Sequence, residues 1–127
     1  MTDYKMDKKM NKLDEMFSRK SNIKEYSKSY FDYLSAVLTE ISLDDIENFV
    51  ESLLMAREKG STIYFIGNGG SAATADHFAN DISIGTRTYE KPFRAVSLCD
   101  NQAIITAIAN DDGYEKIFSL QLEVLLK

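Results

Sequence analysis

The chain has 127 residues, enough for one domain, and its 44% hydrophobic and 28% charged content is ordinary for a soluble globular protein. The formal net charge of −5 and the lack of a basic patch argue against a nucleic-acid surface. No apolar run is long enough to span a membrane and no signal peptide is visible. Cys99 is the only cysteine, which excludes an internal disulfide and suits a reducing cytoplasm.

The first part of the chain is predicted to be helical. Residues 1–20 carry apolar side chains at helical spacing, which fits either a short amphipathic helix or a frayed tail. A stronger helix is predicted over 22–41, with Ser21 as its cap. We interpret its wide apolar stripe as core packing, and contact with a partner subunit is the alternative. The spaced residues are Met6, Met10, Leu13 and Phe17 in the first segment, and Ile23, Tyr26, Tyr30, Tyr33, Leu34, Val37, Leu38 and Ile41 in the second.

A third helix and a strand lead to a glycine cluster. The helix is predicted over 43–59, with Ser42 as its cap and Gly60 as its C-terminal stop. The strand is predicted over 62–66, because this run is apolar throughout, as in a buried parallel strand. The predicted buried face of the helix is Ile46, Phe49, Val50, Leu53 and Leu54.

The second half continues the alternation. The helix after the glycine cluster ends near 82–85, and a polar loop leads into a strand over 94–98. Asp100 or Asn101 caps the next helix, and a final helix is predicted over 114–127. The predicted buried residues are Ile104, Ile105 and Ile108 in the first of these two helices and Ile117, Phe118, Leu122 and Leu125 in the second. Alternating strands and helices predict an α/β protein with a parallel sheet.

The glycine cluster follows a strand and opens a helix. Gly67, Gly69 and Gly70 allow a sharp turn and a close approach of the backbone to a ligand. Ser71 is a natural N-cap for the helix that follows. Because a helix N-terminus carries unpaired N–H groups and a positive dipole end, we expect a phosphate there. The alternative is a glycine-rich turn with a capping serine that binds nothing.

His77 and Asp81 lie four residues apart on the same helix, so they share one face. His77 is the only histidine of the chain. The expected phosphate would be about two turns, roughly 10 Å, from this acid–base pair, which is the reach of a small phosphosugar. The alternative is a structural histidine–carboxylate pair on a helix surface.

The run Gly67 to Asp81, followed by Asn110-Asp111-Asp112-Gly113-Tyr114, resembles the sugar isomerase (SIS) domain of the phosphoheptose isomerase group. The resemblance covers the chain from about Asp44 to its end. It implies a flavodoxin-like, three-layer fold with a parallel sheet, preceded by long N-terminal helices. It also implies that residues 21–127 form the N-terminal portion of a SIS domain, without its C-terminal strands and second phosphate loop.

The resemblance implies a function as well. These enzymes are aldose–ketose isomerases, a class of intramolecular oxidoreductase. They interconvert sedoheptulose 7-phosphate and a heptose 7-phosphate, a heptose precursor for lipopolysaccharide or capsule. The resemblance further implies a cytoplasmic homotetramer in which the N-terminal helices join a bundle, with a phosphosugar as partner and neither nucleic acid nor membrane.

The resemblance assigns roles residue by residue. Asp81 stands at the position of the catalytic glutamate, and His77 at the helix histidine, which can be a metal ligand. Asp111 matches a substrate-contacting aspartate. Zinc is the implied metal, held by His77 and Asp81, although two ligands on one helix do not make a site alone. The phosphate cradle matches Asn68, Gly69, Gly70 and Ser71.

Two departures separate this chain from the family pattern. Asp81 is one methylene shorter than glutamate, and a family arginine four residues further on falls on Gly85, with Arg87 nearby but not aligned. Sugar specificity is therefore expected to differ from heptose. The rival hypothesis is a non-catalytic SIS module, because Ser71-Ala72-Ala73 also resembles a relative that binds a replication initiator protein. A third alternative is a structural fragment that binds nothing.

Overall fold

The computed structural model describes residues 10–19 and 22–126. The predictions for Met6 and for Ser21 as a helix cap lie outside the described residues. The chain forms two compact units, one up to Ile46 and one from Glu47 onward, which are described separately.

The first unit contains helices α1 (Lys12–Ser18) and α2 (Ile23–Thr39). The Asn11 side chain caps α1, and the Asn22 side chain caps α2 by accepting from the Glu25 amide at 3.1 Å. The two helices meet edge to face at Phe17 and Tyr26, whose ring centroids are 5.3 Å apart. The prediction of a helix over 22–41 is thus confirmed within two residues.

The apolar stripe of α2 is not a buried core within this unit. No residue of α2 is buried, and the side chains of Ile23 and Leu38 are 65% and 58% exposed. The interpretation of the stripe as core packing is therefore wrong for the described residues. The physical reason is that α1 has only seven residues and covers one end of a stripe that runs along the 17 residues of α2.

Helix α3 (Leu43–Lys59) begins and ends where the sequence predicts. Its cap is Ser42, whose hydroxyl oxygen accepts from the Asp45 amide at 3.2 Å, and Gly60 ends it with a positive φ of 65°. In the second unit, Leu53 is half-buried but Phe49 is 47% exposed. Val50 and Leu54 are similarly exposed, so the predicted buried face is mostly wrong, because no described strand or helix of the second unit packs extensively against α3.

Near its C-terminal end, α3 forms polar and cation–π contacts with the loop that precedes the second strand. Arg57 Nε donates to the Lys91 carbonyl at 2.7 Å, and the Arg57 guanidinium lies over the Phe93 ring. Lys91 Nζ donates to the Glu58 carboxylate, and this hydrogen bond and the Lys91 charge lower the pKa of Glu58. These contacts lie at the N-terminal edge of the second strand, the edge away from the glycine loop.

The sheet described consists of β1 (Thr62–Phe65) and β2 (Arg94–Ser97), which pair in parallel. The Leu98 amide extends the pairing by donating to the Phe65 carbonyl at 3.0 Å. A parallel pair requires a long crossover, which α4 (Gly70–Asn80) and a π-helical turn (Asp81–Gly85) supply. Both strands and the α/β class with a parallel sheet are confirmed.

Two helices follow β2. Helix α5 (Gln102–Asp111) is capped by Asn101, whose side-chain oxygen accepts from the Ile104 amide. The predicted final helix is wrong as a single element: a 3₁₀ turn (Tyr114–Lys116) precedes α6 (Ser119–Leu125). The cause is the positive φ of Gly113, 104°, which starts a tight turn closed by the Ile117 amide on the Tyr114 carbonyl.

The core of the second unit lies where α4, β2 and the start of α6 meet. It consists of Ala75, Ala79, Leu98, Cys99 and Ile117, with Ser97 and Gln121 as buried polar residues. Gln121 Nε2 donates to the carbonyls of Leu98 and Ile117, so its buried amide is satisfied. The prediction that Ile117 is buried is confirmed. Leu125 and Ile104 are 47% and 42% exposed, so those two predictions are wrong.

None of the helices in residues 10–19 and 22–126 combines the length and apolar content needed to cross a membrane.

Candidate functional site

The glycine loop turns the chain from β1 into α4. Helix α4 begins at Gly70, and its N-cap is Gly69, with φ 57° and ψ −124°. Ser71 is therefore the second residue of the helix, and its prediction as the N-cap is wrong. A positive φ suits glycine and not serine, so Gly69 takes the N-cap position. The helix then begins at Gly70, one residue before Ser71.

Gly67 and Gly70 differ in the space around them. A Cβ at Gly67 would lie 2.4 Å from the Ser71 carbonyl oxygen and 2.9 Å from the Ala72 nitrogen, so the first turn of α4 packs directly on this glycine. A Cβ at Gly70 would meet nothing within 4 Å. The loop thus needs glycine for packing at position 67, whereas position 70 leaves open space at the helix N-terminus.

Two amides of this loop stay available to a ligand. The amides of Ser71 and Ala72 donate to the carbonyls of Asn68 and Gly69 at 3.0 and 3.1 Å. In the described chain, the Gly69 and Gly70 amides make no such bond. They lie at the N-terminus of an 11-residue helix, where the helix dipole favours an anion.

Two side chains that follow β2 in the sequence form hydrogen bonds with the glycine loop. Tyr114 Oη donates to Asn68 Oδ1 at 2.8 Å, across 46 residues of sequence. The buried Cys99 thiol donates to the Gly67 carbonyl at 3.3 Å. Sequence reasoning assigned neither residue a role. Cys99 could have been found, because the carboxyl ends of parallel strands meet at one edge of the sheet, but no sequence signal pairs Tyr114 with Asn68.

His77 and Asp81 are brought together as their spacing predicts. His77 Nδ1 lies 3.0 Å from Asp81 Oδ2 in an i, i+4 pair. The other carboxylate oxygen of Asp81 accepts from Asn80 Nδ2 at 3.4 Å. The contact is made through Nδ1, so the second ring nitrogen, Nε2, is not engaged by Asp81. The two side chains are 75% and 60% exposed, so the pair faces outward.

Asp81 is also the first residue of the π-helical turn, a feature the sequence does not predict. π-Turns inserted in α-helices are rare and occur frequently at functional sites. A Cβ at Gly85 would lie 3.7 Å from Asp81 Oδ1. Gly85 therefore leaves one side of the carboxylate uncovered.

Ser71 and the His77–Asp81 pair lie on different faces of α4. Ser71 lines a cleft of about 350 Å³ with Phe49 and Phe78, and neither His77 nor Asp81 belongs to its lining. Ser71 and His77 are six positions apart in the sequence, so their side chains point in directions about 120° apart around the helix axis. The loop amides lie on the helix axis, so a ligand at its N-terminus can extend along either face.

Asp111 is the last residue of α5 and accepts from Asn110 Nδ2 at 2.7 Å. It precedes Tyr114 by three residues, but no hydrogen bond between Asp111 and the glycine loop exists in the described chain. The structure therefore brings together Asn68, the loop glycines and Tyr114, and separately His77 and Asp81. It does not place Asp111 in contact with either group.

Comparison with known proteins identifies the family. The family profile described as the SIS domain matches residues 25–125. The chain belongs to the SIS domain family. This match covers both strands, the glycine loop, the His77–Asp81 pair and Tyr114.

The individual relatives of this SIS domain described below all carry the name phosphoheptose isomerase. A probable phosphoheptose isomerase of Thermoplasma acidophilum is 34% identical over 101 residues, which cover 80% of this chain and 56% of the relative. A phosphoheptose isomerase of Trichlorobacter lovleyi is 41% identical over 80 residues, 63% of this chain and 41% of the relative. The solved structure of phosphoheptose isomerase GmhA from Neisseria gonorrhoeae matches with a TM-score of 0.72 and 30% identity, over 82% of this chain and 55% of that one. The chain spans about half the length of the curated relatives it matches.

The described part of the SIS domain does not by itself form a zinc site. Residues 10–19 and 22–126 contain no group of three histidine, cysteine, aspartate or glutamate side chains able to hold a metal. His77 and Asp81 contact each other at 3.0 Å and offer two side chains as metal ligands. Zinc sites in proteins take three or four protein ligands, so the residues present do not fit the metal alone.

Proposed function

We propose that this chain is part of a phosphosugar isomerase of the sedoheptulose 7-phosphate isomerase type, with residues 21–127 as the N-terminal portion of its SIS domain. The observation that carries the proposal is the glycine loop held open at a helix N-terminus, one face of which bears an acid–base pair. The agreement among phosphoheptose isomerase relatives supports the same function.

In this proposal the substrate phosphate binds at the N-terminus of α4. Its donors are the Gly69 and Gly70 amides, the Asn68 side-chain amide and the Ser71 hydroxyl. Gly70 leaves space for the anion, since a Cβ there would meet no protein atom within 4 Å. Charge-assisted hydrogen bonds from backbone amides and the helix dipole offset the desolvation of the phosphate, and the net charge of −5 does not prevent this local binding.

The proposed chemistry is a proton transfer between neighbouring carbons of the sugar through an enediol. It needs a base near the carbon acid and a group that stabilises the developing oxyanion. His77 and Asp81 act in it as one acid–base unit. In this proposal Asp81, 3.0 Å from His77 Nδ1, accepts a hydrogen bond from that nitrogen and orients the ring, so that His77 Nε2 is the proton acceptor open to a substrate. This division of roles differs from the resemblance, which makes the residue at position 81 the base.

A zinc ion is a further proposal for the intact protein. His77 Nε2 would bind it together with ligands supplied from beyond the described residues, as an alternative to its role as proton acceptor, because one nitrogen lone pair cannot do both. Such an ion would polarise a substrate oxygen. The steps above need only the proton transfer at the His77–Asp81 pair.

We also propose a cytoplasmic homotetramer, with Asp111 contacting the substrate when the site is complete. The exposed stripe of α2 supports an assembly, since an apolar surface of this size is rarely left open. The exposure of the His77–Asp81 pair supports it too, because acid–base catalysis is stronger where water is excluded. A free, unpaired Cys99 is consistent with a reducing compartment.

The second candidate is a non-catalytic SIS module that binds a phosphosugar or a protein. The observation in its favour is again the exposure of the pair, 75% for His77 and 60% for Asp81, which is high for a catalytic pair. Both candidates predict phosphate binding at the loop, so binding alone does not separate them. Proton exchange from a bound substrate does, because only the isomerase breaks a carbon–hydrogen bond.

The phosphate site is tested by titrating sedoheptulose 7-phosphate into the chain and into Ser71→Ala, followed by amide NMR. Loss of one hydrogen bond to a charged group is expected to weaken binding about tenfold or more. Ser119→Ala is the matched control, because Ser119 is exposed and lies outside the loop. Equal affinity in the chain and in Ser71→Ala would remove Ser71 from the site, and no binding by either would reject the phosphosugar function.

A further inference from the structure

The glycine loop contains the only Asn-Gly pair in the sequence, Asn68–Gly69. An asparagine side chain carries an electrophilic amide carbon, Cγ, and the next backbone nitrogen can bond to it to close a five-membered ring. Glycine in the second position favours this reaction, because without a Cβ the backbone reaches conformations that other residues rarely adopt. The sequence therefore holds a chemically reactive dipeptide, whose rate in the folded chain depends on its surroundings.

The structure leaves this pair open. Both residues are exposed, and a Cβ at Gly69 would meet nothing within 4 Å, so water and hydroxide can approach. In the part of the chain that the structure describes, the Gly69 amide donates to no backbone carbonyl. Its nitrogen can therefore react without first breaking a hydrogen bond of the fold.

Three hydrogen bonds restrain the pair, all of them at the surface. The carbonyls of Asn68 and Gly69 accept from the amides of Ser71 and Ala72 at 3.0 and 3.1 Å, and the Asn68 side chain contacts the Tyr114 hydroxyl at 2.8 Å. Water competes for the side-chain contact, because Tyr114 is 58% exposed. An exposed hydrogen bond of this kind is expected to lower the population of reactive side-chain conformers about tenfold or less.

A second reactive pair, Asp112–Gly113, has different surroundings. It is the only Asp-Gly pair in the sequence and can close the same ring by loss of water. Its Gly113 amide donates to the Ile108 carbonyl at 3.1 Å, and a Cβ at Gly113 would lie 2.6 Å from Glu115 Oε1. The turn that follows is anchored in the core by Ile117, which is 3% exposed. The fold thus shields this pair and leaves Asn68–Gly69 open.

We propose that Asn68 is a site of spontaneous modification, at which the folded chain converts this asparagine into aspartate and isoaspartate. The Gly69 nitrogen gives its proton to hydroxide and bonds to Asn68 Cγ, and the Cγ–Nδ2 bond breaks as ammonia leaves. Water then opens the resulting succinimide, at Cγ to give aspartate or at the backbone carbonyl carbon of residue 68 to give isoaspartate. One water is consumed and one ammonia released, with no change of oxidation state.

Both products change the glycine loop. Each carries a carboxylate at residue 68 in place of a neutral amide. The isoaspartyl form also lengthens the main chain by one methylene, and the carbonyl that accepts from the Ser71 amide becomes part of its carboxylate. The loop that leads into α4 is thereby altered with time and alkaline pH. This inference does not depend on the proposed isomerase function.

The test compares the folded chain with the same chain unfolded in guanidinium chloride, both incubated at mildly alkaline pH in water enriched in heavy oxygen. Peptide mass spectrometry and labelling by a protein isoaspartate methyltransferase report the product at each site. Folding is expected to slow the reaction at Asn68 about tenfold or less. At Asp112 it should slow the reaction about a hundredfold or more, because the Gly113 nitrogen reacts only after local unfolding.

Each site is measured against its own unfolded rate, which removes the intrinsic difference between asparagine and aspartate. Asn68→Gln should abolish product at position 68, because glutamine would have to close a larger ring. Asn48→Gln is the matched control and should leave the rate at Asn68 unchanged, since Asn48 is exposed on α3 and lies outside the loop. Protection of Asn68 by folding as strong as that of Asp112 would overturn the proposal. Product that persists undiminished in Asn68→Gln would also overturn it, because the reaction would then occur at another residue.

Discussion

His77 Nδ1 lies 3.0 Å from Asp81 Oδ2, at the point where α4 passes from α-helical to π-helical geometry. The contact places a carboxylate beside one of the two ring nitrogens. A ring that donates from Nδ1 exposes Nε2 as its acceptor, whereas a neutral imidazole in water favours the proton on Nε2. We therefore expect the carboxylate to favour the tautomer that can accept a proton from a substrate, as the aspartate of a catalytic triad does.

The first prediction concerns this tautomer. At a pH where the ring is neutral, long-range proton–nitrogen NMR should show the proton on Nδ1 in the unchanged chain and mainly on Nε2 in Asp81→Asn. The signal is unambiguous, because His77 is the only histidine in the chain. Asp76→Asn is the matched control, since Asp76 lines a different cleft with Ser97 and Asp100. A Nδ1 proton retained in Asp81→Asn would remove Asp81 as the orienting group.

The second prediction compares two glycines of one loop. Gly67→Ala places its Cβ 2.4 Å from the Ser71 carbonyl oxygen, so the first turn of α4 must move. Overpacking against backbone is expected to lower the free energy of unfolding by about 3 kcal/mol, measured by urea denaturation. Gly70→Ala should leave it within about 0.5 kcal/mol, because its Cβ meets nothing within 4 Å.

The same pair of variants also tests the anion site. Gly70→Ala puts a methyl group into the space proposed for the phosphate, so a folded protein with weakened phosphate binding is the expected result. A Gly70→Ala variant that binds phosphate as well as the unchanged chain would place the ligand elsewhere. Equal stability of the two alanine variants would mean that Gly67 does not support the turn.

The elements set by short-range chemistry could be predicted from the sequence. The cap of α3 at Ser42, the stop at Gly60 and the His77–Asp81 pair all depend on residues at most four positions apart. Both strands were found because a short apolar run next to glycine is a local signal. The N-cap of α4 was misplaced by two residues, because Gly69 takes that position with a positive φ that suits glycine, and the capping preference of Ser71 does not report this.

Features that depend on distant residues could not be predicted. Burial of Phe49 or Leu125 depends on which elements lie above them, and a periodic pattern does not report that. The π-turn at Asp81 has no local signal in the sequence, and the 3₁₀ turn at Tyr114 follows the positive φ of Gly113, which helical periodicity does not report. The hydrogen bond from Tyr114 to the glycine loop spans 46 residues, beyond the range of any pattern, whereas the bond from Cys99 follows from the parallel pairing of the two strands.

The third prediction concerns assembly through α2. The stripe on this helix is open in its own unit, with Leu34 and Val37 both 41% exposed. If it joins subunits, Leu34→Glu should lower the mass measured by light scattering at tens of micromolar, with helix content by circular dichroism unchanged. Ala36→Glu adds the same charge on the other side of α2 and should leave the mass unchanged. A chain that is monomeric before any substitution would contradict the proposed tetramer.

The last prediction concerns catalysis. We expect the 127-residue chain alone to show no appreciable isomerase activity, and the same chain joined to the remaining half of the Thermoplasma acidophilum relative to be active. Proton transfer between two carbons needs an acid–base group near each carbon or its oxygen, and the described residues offer one such pair. Loss of a general acid alone costs about 10²–10⁴-fold in rate.

The measurement is exchange of the substrate proton with solvent deuterium, followed by NMR with sedoheptulose 7-phosphate. Asp81→Asn in the joined chain should slow exchange, because His77 would then carry its proton mainly on Nε2 and seldom accept one there, whereas Asp76→Asn should not. Robust exchange by the 127-residue chain would show that one acid–base pair is sufficient. A joined chain that binds the sugar phosphate and exchanges no proton would favour the binding module, since its loop would work while its His77–Asp81 pair moved no proton.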